Sequence, residues 1–235
     1  MNRITLCIVF LLALLMGCSP NTENEHTKVE QLVKKAEVVS KQQKNESDNI
    51  VNALEYFPLD KKISYTVKDN LGLRYVISHQ GKKTIEGKEV YAINRAKVLN
   101  DGGKEEVTYL YSVDENNNIL HQGSISNNQV SWEGKPYPFL FGKMELKKEY
   151  KVTRGSDSFP GKIKAAAFED VVLSDRTFKN CLVVQTDFEV DGKIAFSYKY
   201  YLHKDVGIVK EISNENFDME EVFESMGDIR KEKKK

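Results

Sequence analysis

From residue 56 to residue 213, apolar and polar positions alternate with a period of two. This is the pattern of strands that bury one face. Ile63, Tyr65 and Val67 alternate with polar neighbours, and Leu73, Tyr75 and Ile77 repeat the pattern. Asp69-Asn70 and Gln80-Gly81 supply turn chemistry between the runs. Val90-Tyr91-Ala92-Ile93, continuing to Ala96-Lys97-Val98, forms a further strand, and Asn100-Asp101-Gly102-Gly103 reads as a turn. Val107, Tyr109, Tyr111 and Val113 then alternate before a polar turn at 114–118. Shorter strands are expected at 119–125 and 129–132, and an apolar loop at 136–141. Strand patterning resumes at 146–153, 163–173, 181–190, 194–202 and 207–212. Many short strands without βαβ alternation predict a mainly β fold with an antiparallel sheet, not a doubly wound nucleotide fold.

The flanks differ. Val29, Leu32, Val33, Ala36 and Val39 recur at helical spacing among Lys, Glu and Gln, which predicts a short amphipathic helix over 28–44. Residues 217–229 carry Phe217, Val222, Phe223 and Met226 among acidic residues and predict a short acidic helix, followed by a basic tail at 230–235. There is also an internal echo at an offset of 89. Gly103-Lys104 matches Gly192-Lys193, Tyr109 and Tyr111 match Tyr198 and Tyr200, and Ile119 matches Ile208. Two readings stay open: chance likeness between hairpins, or a sheet built from two related meanders.

The amino terminus is a separate unit. Arg3 precedes a stretch at 4–16 that is apolar except for Thr5, too short for the roughly 20 residues of a spanning helix but the length of a signal-peptide core. It ends in Leu15-Met16-Gly17-Cys18. This resembles the lipobox of bacterial lipoproteins, with an aliphatic residue three before the cysteine and a small residue just before it. The resemblance implies cleavage between Gly17 and Cys18 and acylation of the Cys18 thiol. Two or three acyl chains would anchor the protein, at about 0.8 kcal/mol per buried methylene. The expected organisation is a signal peptide at 1–17, a lipidated tether and helix at 18–55, a β domain at 56–213, and a short helix with a basic tail at 214–235.

Charge and motif content narrow the function. The 235 residues carry 35 Lys+Arg and 35 Asp+Glu, so there is no basic excess of the kind nucleic-acid binders show. No GxSxG elbow, HExxH, Walker A loop or CxxC pair occurs, and His26, His79, His121 and His203 lack metal-ligand spacing. The expectation is therefore a protein that is not an enzyme and uses no cofactor or metal. The turn at 114–118 lacks the glycine and distal glutamate of a calcium loop. After removal of Cys7 with the signal peptide, Cys18 and Cys181 remain, so no disulfide scaffold forms, and Cys181 reads as a small buried hydrophobe. The strand tyrosines Tyr65, Tyr75, Tyr109, Tyr111, Tyr198 and Tyr200 either fill a core or line an apolar cavity.

Three stretches are similar to a group of bacterial envelope lipoproteins. They are the start at Tyr56-Phe57-Pro58-Leu59, the segment 168–184 with Thr177-Phe178 before Cys181, and the closing segment 200–210 with Tyr200-Tyr201 and Val206-Gly207. This chain has Ser174-Asp175-Arg176 where the group has Pro-Ala-Gly. By analogy the resemblance implies a curved antiparallel sheet or half-barrel of about ten strands, like the lipoprotein carriers of the LolA/LolB type. It also implies that Phe178 and Cys181 are both core residues. Strict alternation forbids that, so a bulge at Lys179-Asn180 is expected. Two functions follow as expectations: an envelope binding or assembly module with a protein partner, or a carrier of a lipid or other apolar ligand. Either would sit in the bacterial envelope, held to the membrane by its lipid. In a cell with two membranes the outer membrane is allowed, because Ser19 follows Cys18.

Overall fold

The computed structural model describes residues 49–99, 105–155, 159–214 and 219–227. The lipobox with Gly17 and Cys18, His26, the helix at 28–44 and the tail at 230–235 lie outside them. The first half holds β1 (Ile50–Asn52), a 3₁₀ turn (Ala53–Glu55), β2 (Ser64–Asp69), β3 (Arg74–Ile85), β4 (Lys88–Lys97), β5 (Glu106–Val113), β6 (Ile119–Ser126) and β7 (Gln129–Leu140). The second holds β8 (Lys143–Glu145), β9 (Glu149–Arg154), β10 (Phe159–Val172), β11 (Thr177–Val190), β12 (Lys193–His203), β13 (Gly207–Ser213) and β14 (Met219–Met226).

Twelve strands form one antiparallel sheet in the order β7-β6-β5-β4-β3-β2-β14-β13-β12-β11-β10-β9. Each half is a six-stranded meander, β2 to β7 and β9 to β14, and the pairing of β14 with β2 joins them. The sheet curls until its edge strands β7 and β9 stand side by side, giving a nearly closed barrel. The mainly β, antiparallel expectation holds. The sheet is wider than the expected ten strands and closes further than a half-barrel.

The echo at offset 89 has a structural counterpart. β5 and β12, which carry the Tyr-x-Tyr pairs, are each the fourth strand of their meander. Tyr109 lies opposite Ser124 on β6, and Tyr198 lies opposite Ser213 on β13, the same pairing displaced by 89 residues. The structure favours the reading of two related meanders.

Three expectations are corrected. Residues 219–226 form strand β14, not a helix, because β13 and β2 pair with both its edges and override the helical spacing. Its acidic residues meet cations instead: Glu224 bonds Arg74 at 2.7 Å, Glu221 bonds Arg95, and Glu220 lies 2.6 Å from Lys210. The segment 136–140, expected as loop, continues β7. The β domain begins before Tyr56: the compact unit starts at Asn49, β1 pairs with β8, and Val51 and Ala53 are buried.

This early segment closes one end of the barrel. Ala53 N donates to Gly142 O at 3.1 Å, and Phe57 packs on Phe139, Tyr111 and His79 with ring centroids 4.9, 5.5 and 5.9 Å away. A main core of Phe57, Leu59, Ile119, Leu140, Met144, Ile163, Leu182 and Leu202 fills that end. A second cluster joins Tyr65, Val67 and Phe223 to Cys181, Val183, Tyr201 and Val209. The bulge beside it forms as the residues require. Glu169 faces Cys181 and Val171 faces Phe178, so Lys179 and Asn180 oppose Asp170 alone. Asn180 adopts φ 54°, and its N–H donates to Asp170 Oδ1 at 2.9 Å. Cys181 is fully buried, while Phe178 is half-buried against Phe223 and His203.

Candidate functional site

Inside the barrel, beyond the Phe57 plug, lies a cavity of about 470 Å³. Strand alternation builds it. Tyr109 and Tyr111 on β5, Tyr198 and Tyr200 on β12, and Thr186 and Phe188 on β11 all point inward at two-residue steps. Tyr198 and Tyr200 stack with ring planes 3° apart, and Tyr200 meets Phe139 edge-on at 5.4 Å. Five of the six strand tyrosines singled out in sequence line the cavity, namely Tyr65, Tyr109, Tyr111, Tyr198 and Tyr200. The sixth, Tyr75, lies under the Arg95 guanidinium, 3.9 Å from its ring centroid.

The walls are also polar. Arg95 Nη1 donates to Glu221 Oε2 at 2.7 Å, and Arg95 Nη2 bonds the other carboxylate oxygen, a bidentate pair in which Glu221 is 4% exposed. Burial alone would lower the Arg95 pKa, but the Glu221 carboxylate outweighs it and holds the guanidinium charged. Glu211 lines the same wall, and Arg154 and Glu133 stand further from the plug, half-buried beside Ser124 and Met219. Arg154 lies over the Tyr137 and Phe188 rings at 5.9 and 5.8 Å and reaches the Tyr198 hydroxyl at 3.4 Å.

Two histidines face the cavity, and burial holds both neutral. The His79 pKa falls to about 4 through burial, partly countered by the Pro58 carbonyl 3.2 Å from Nδ1. The His121 pKa also falls to about 4, through burial and then the nearby Arg154 charge. His121 Nδ1 lies 3.3 Å from Glu133 Oε1 without the geometry of a hydrogen bond, and it is a buried ring nitrogen with no bonding partner. Burial also raises the pKa of the Tyr65, Tyr111 and Tyr200 hydroxyls, followed by Glu211 for Tyr65 and Tyr200 and by Tyr137 for Tyr111, so they stay protonated donors.

The remaining sequence candidates sit elsewhere. His203 packs on Phe178, away from the cavity lining. Cys181 is buried, its thiol pKa is pushed up to about 11 mainly by burial, and its Sγ lies 3.5 Å from Phe178 O. Asp114 accepts from Asn116 N and Asn118 N at 2.9 and 2.8 Å, so its carboxylate caps its own turn. No group of three metal-ligating side chains comes together among the described residues. Sequence reasoning passed over Arg95, Arg154, Glu133, Glu211 and Glu221. One signal was available for Arg95: it falls two residues after Ile93, on the inward parity of its strand. No protein family, no curated protein and no solved structure matches this chain.

Proposed function

We propose that this protein is a lipid-anchored envelope lipoprotein that carries a small amphiphilic ligand inside its β barrel. One observation supports this reading most: the cavity of about 470 Å³, within the range of small-molecule sites, which the Phe57 plug ends on one side. The inward face of a sheet of twelve strands is wide enough to enclose such a ligand. The ligand has an aromatic or aliphatic body to lie against Phe139, Phe188 and the tyrosine pairs. It also has a polar atom to satisfy His121 Nδ1, since burying such a group unpaired is costly. The chain is a carrier in this reading, not an enzyme, and the acylated Cys18 holds it at the membrane where amphiphiles reside.

The alternative, an assembly module that binds another envelope protein, needs a contiguous apolar surface. The exposed large apolar residues fall on several elements: Ile50 on β1, Leu71 and Leu73 at the β2–β3 turn, Phe168 and Val172 on β10, Val190 and Ile194 at the β11–β12 turn, and Met226 on β14. Native mass spectrometry of the full chain, extracted from its own membrane, tests the choice. A retained small molecule is expected. A retained protein chain with an empty barrel would favour the assembly module.

A further inference from the structure

The edge strands β7 and β9 stand where a closed barrel would pair them, yet no strand pairing joins them among the described residues. The internal repeat shows what that junction would be. Its counterpart is the hydrogen-bonded β14–β2 junction, where Met226 lies opposite Tyr65. Across the β7–β9 seam Tyr137 and Arg154 meet through their side chains, with the Arg154 guanidinium 5.9 Å from the Tyr137 ring centroid. Phe141, just past the end of β7, and Tyr150 of β9 stack at 4.8 Å. Side chains therefore clasp the seam without a ladder like that of the β14–β2 junction.

The missing ladder has a cause in the sequence. In the β14–β2 junction Gly227 N donates to Ser64 O at 2.7 Å, and Ser225 lies opposite Thr66. In β7, Pro136 and Pro138 flank Tyr137, the residue that meets Arg154 of β9. Proline has no N–H, so neither position can donate to a neighbouring strand. Tyr137, Pro138, Phe139 and Arg154 also line the cavity, so the unzipped seam opens directly onto it.

We infer that the β7–β9 seam is the portal of the cavity: the ligand passes between the two strands when the Arg154–Tyr137 and Phe141–Tyr150 contacts part, and no backbone ladder has to break. This rests on the carrier reading given above. Prolines are the means by which the second junction of a duplicated barrel is kept as a door while the first is a wall.

The test uses the full chain with N-phenyl-1-naphthylamine as an apolar aromatic probe. The double substitution Pro136→Ser with Pro138→Gly restores a backbone N–H at both positions. The amide introduced at position 138 should become protected from hydrogen exchange. Probe association and dissociation should both slow by about tenfold or more relative to wild type, because a closed door raises the barrier in both directions. A second lock, Pro138→Cys with Thr153→Cys, is compared oxidised and reduced in case the first does not zip. An unprotected amide would overturn the role given to the prolines. Unchanged probe kinetics in both locked forms would overturn the portal. Failure of the wild-type chain to bind the probe at all would overturn the carrier reading, and the portal with it.

Discussion

Asn180 sits at φ 54°, in the left-handed region that Asn and Gly tolerate better than branched residues do. Its conformation lets Phe178 and Cys181 both turn toward the second core cluster while Lys179 stays in solvent. Asn180→Gly should leave stability nearly unchanged, whereas Asn180→Val should cost about 1–2 kcal/mol, read from denaturant melts. Equal melts for the two variants would show that the bulge does not need this backbone. Phe178 is half-buried, so Phe178→Ala should cost about 2 kcal/mol, less than the 3–5 of a fully buried aromatic. The histidines give a pH signature. His79 and His121 titrate near 4 in the fold against about 6.5 in the unfolded chain, so between those values the unfolded chain binds protons that the fold refuses. Their contribution to stability is fully present above pH 6.5 and is lost as the pH falls toward 4, on the order of 3 kcal/mol each. His121→Gln should flatten the loss of stability between pH 7 and pH 4.5. An unaltered pH dependence would mean that His121 is not held neutral by burial.

At the scale of elements, the segment before Tyr56 has a structural role that alternation could not reveal. It contains too few residues in one strand, Ile50–Asn52, to show a period, and its worth lies in what Val51, Ala53 and Phe57 cover. A chain that starts at Tyr56 should lose cooperativity, and Phe57→Ala in the full chain should cost about 3–5 kcal/mol in a melt. Near wild-type melting of either would remove the plug from the account. Helix-like spacing at Val222, Phe223 and Met226 failed for a related reason, since a strand with partners on both edges is decided by those partners. The β5 and β12 strands were legible because their tyrosines alternate strictly, and each face of a strand has a single fate.

On the scale of the whole molecule, class and pairing sense could be read from period and turn chemistry, but closure could not. Whether twelve strands curl into a barrel depends on twist accumulated over pairings between residues as distant as Thr66 and Ser225. The tyrosines carried two readings for the same reason: an inward face fills a core in a narrow barrel and lines a cavity in a wide one. The charged wall was still less accessible, because Arg95 and Glu221 are 126 positions apart and only the fold makes them a pair. Titration with N-phenyl-1-naphthylamine tests whether the barrel holds a ligand in its cavity. The wild-type chain is compared with Thr186→Trp, which places an indole in the lumen from the middle of β11. The expected result is saturable one-site binding by wild type and a loss of at least about tenfold in affinity for the variant, with its circular dichroism unchanged. Equal binding by both proteins, or fluorescence that rises without saturating, would contradict a ligand held inside the barrel.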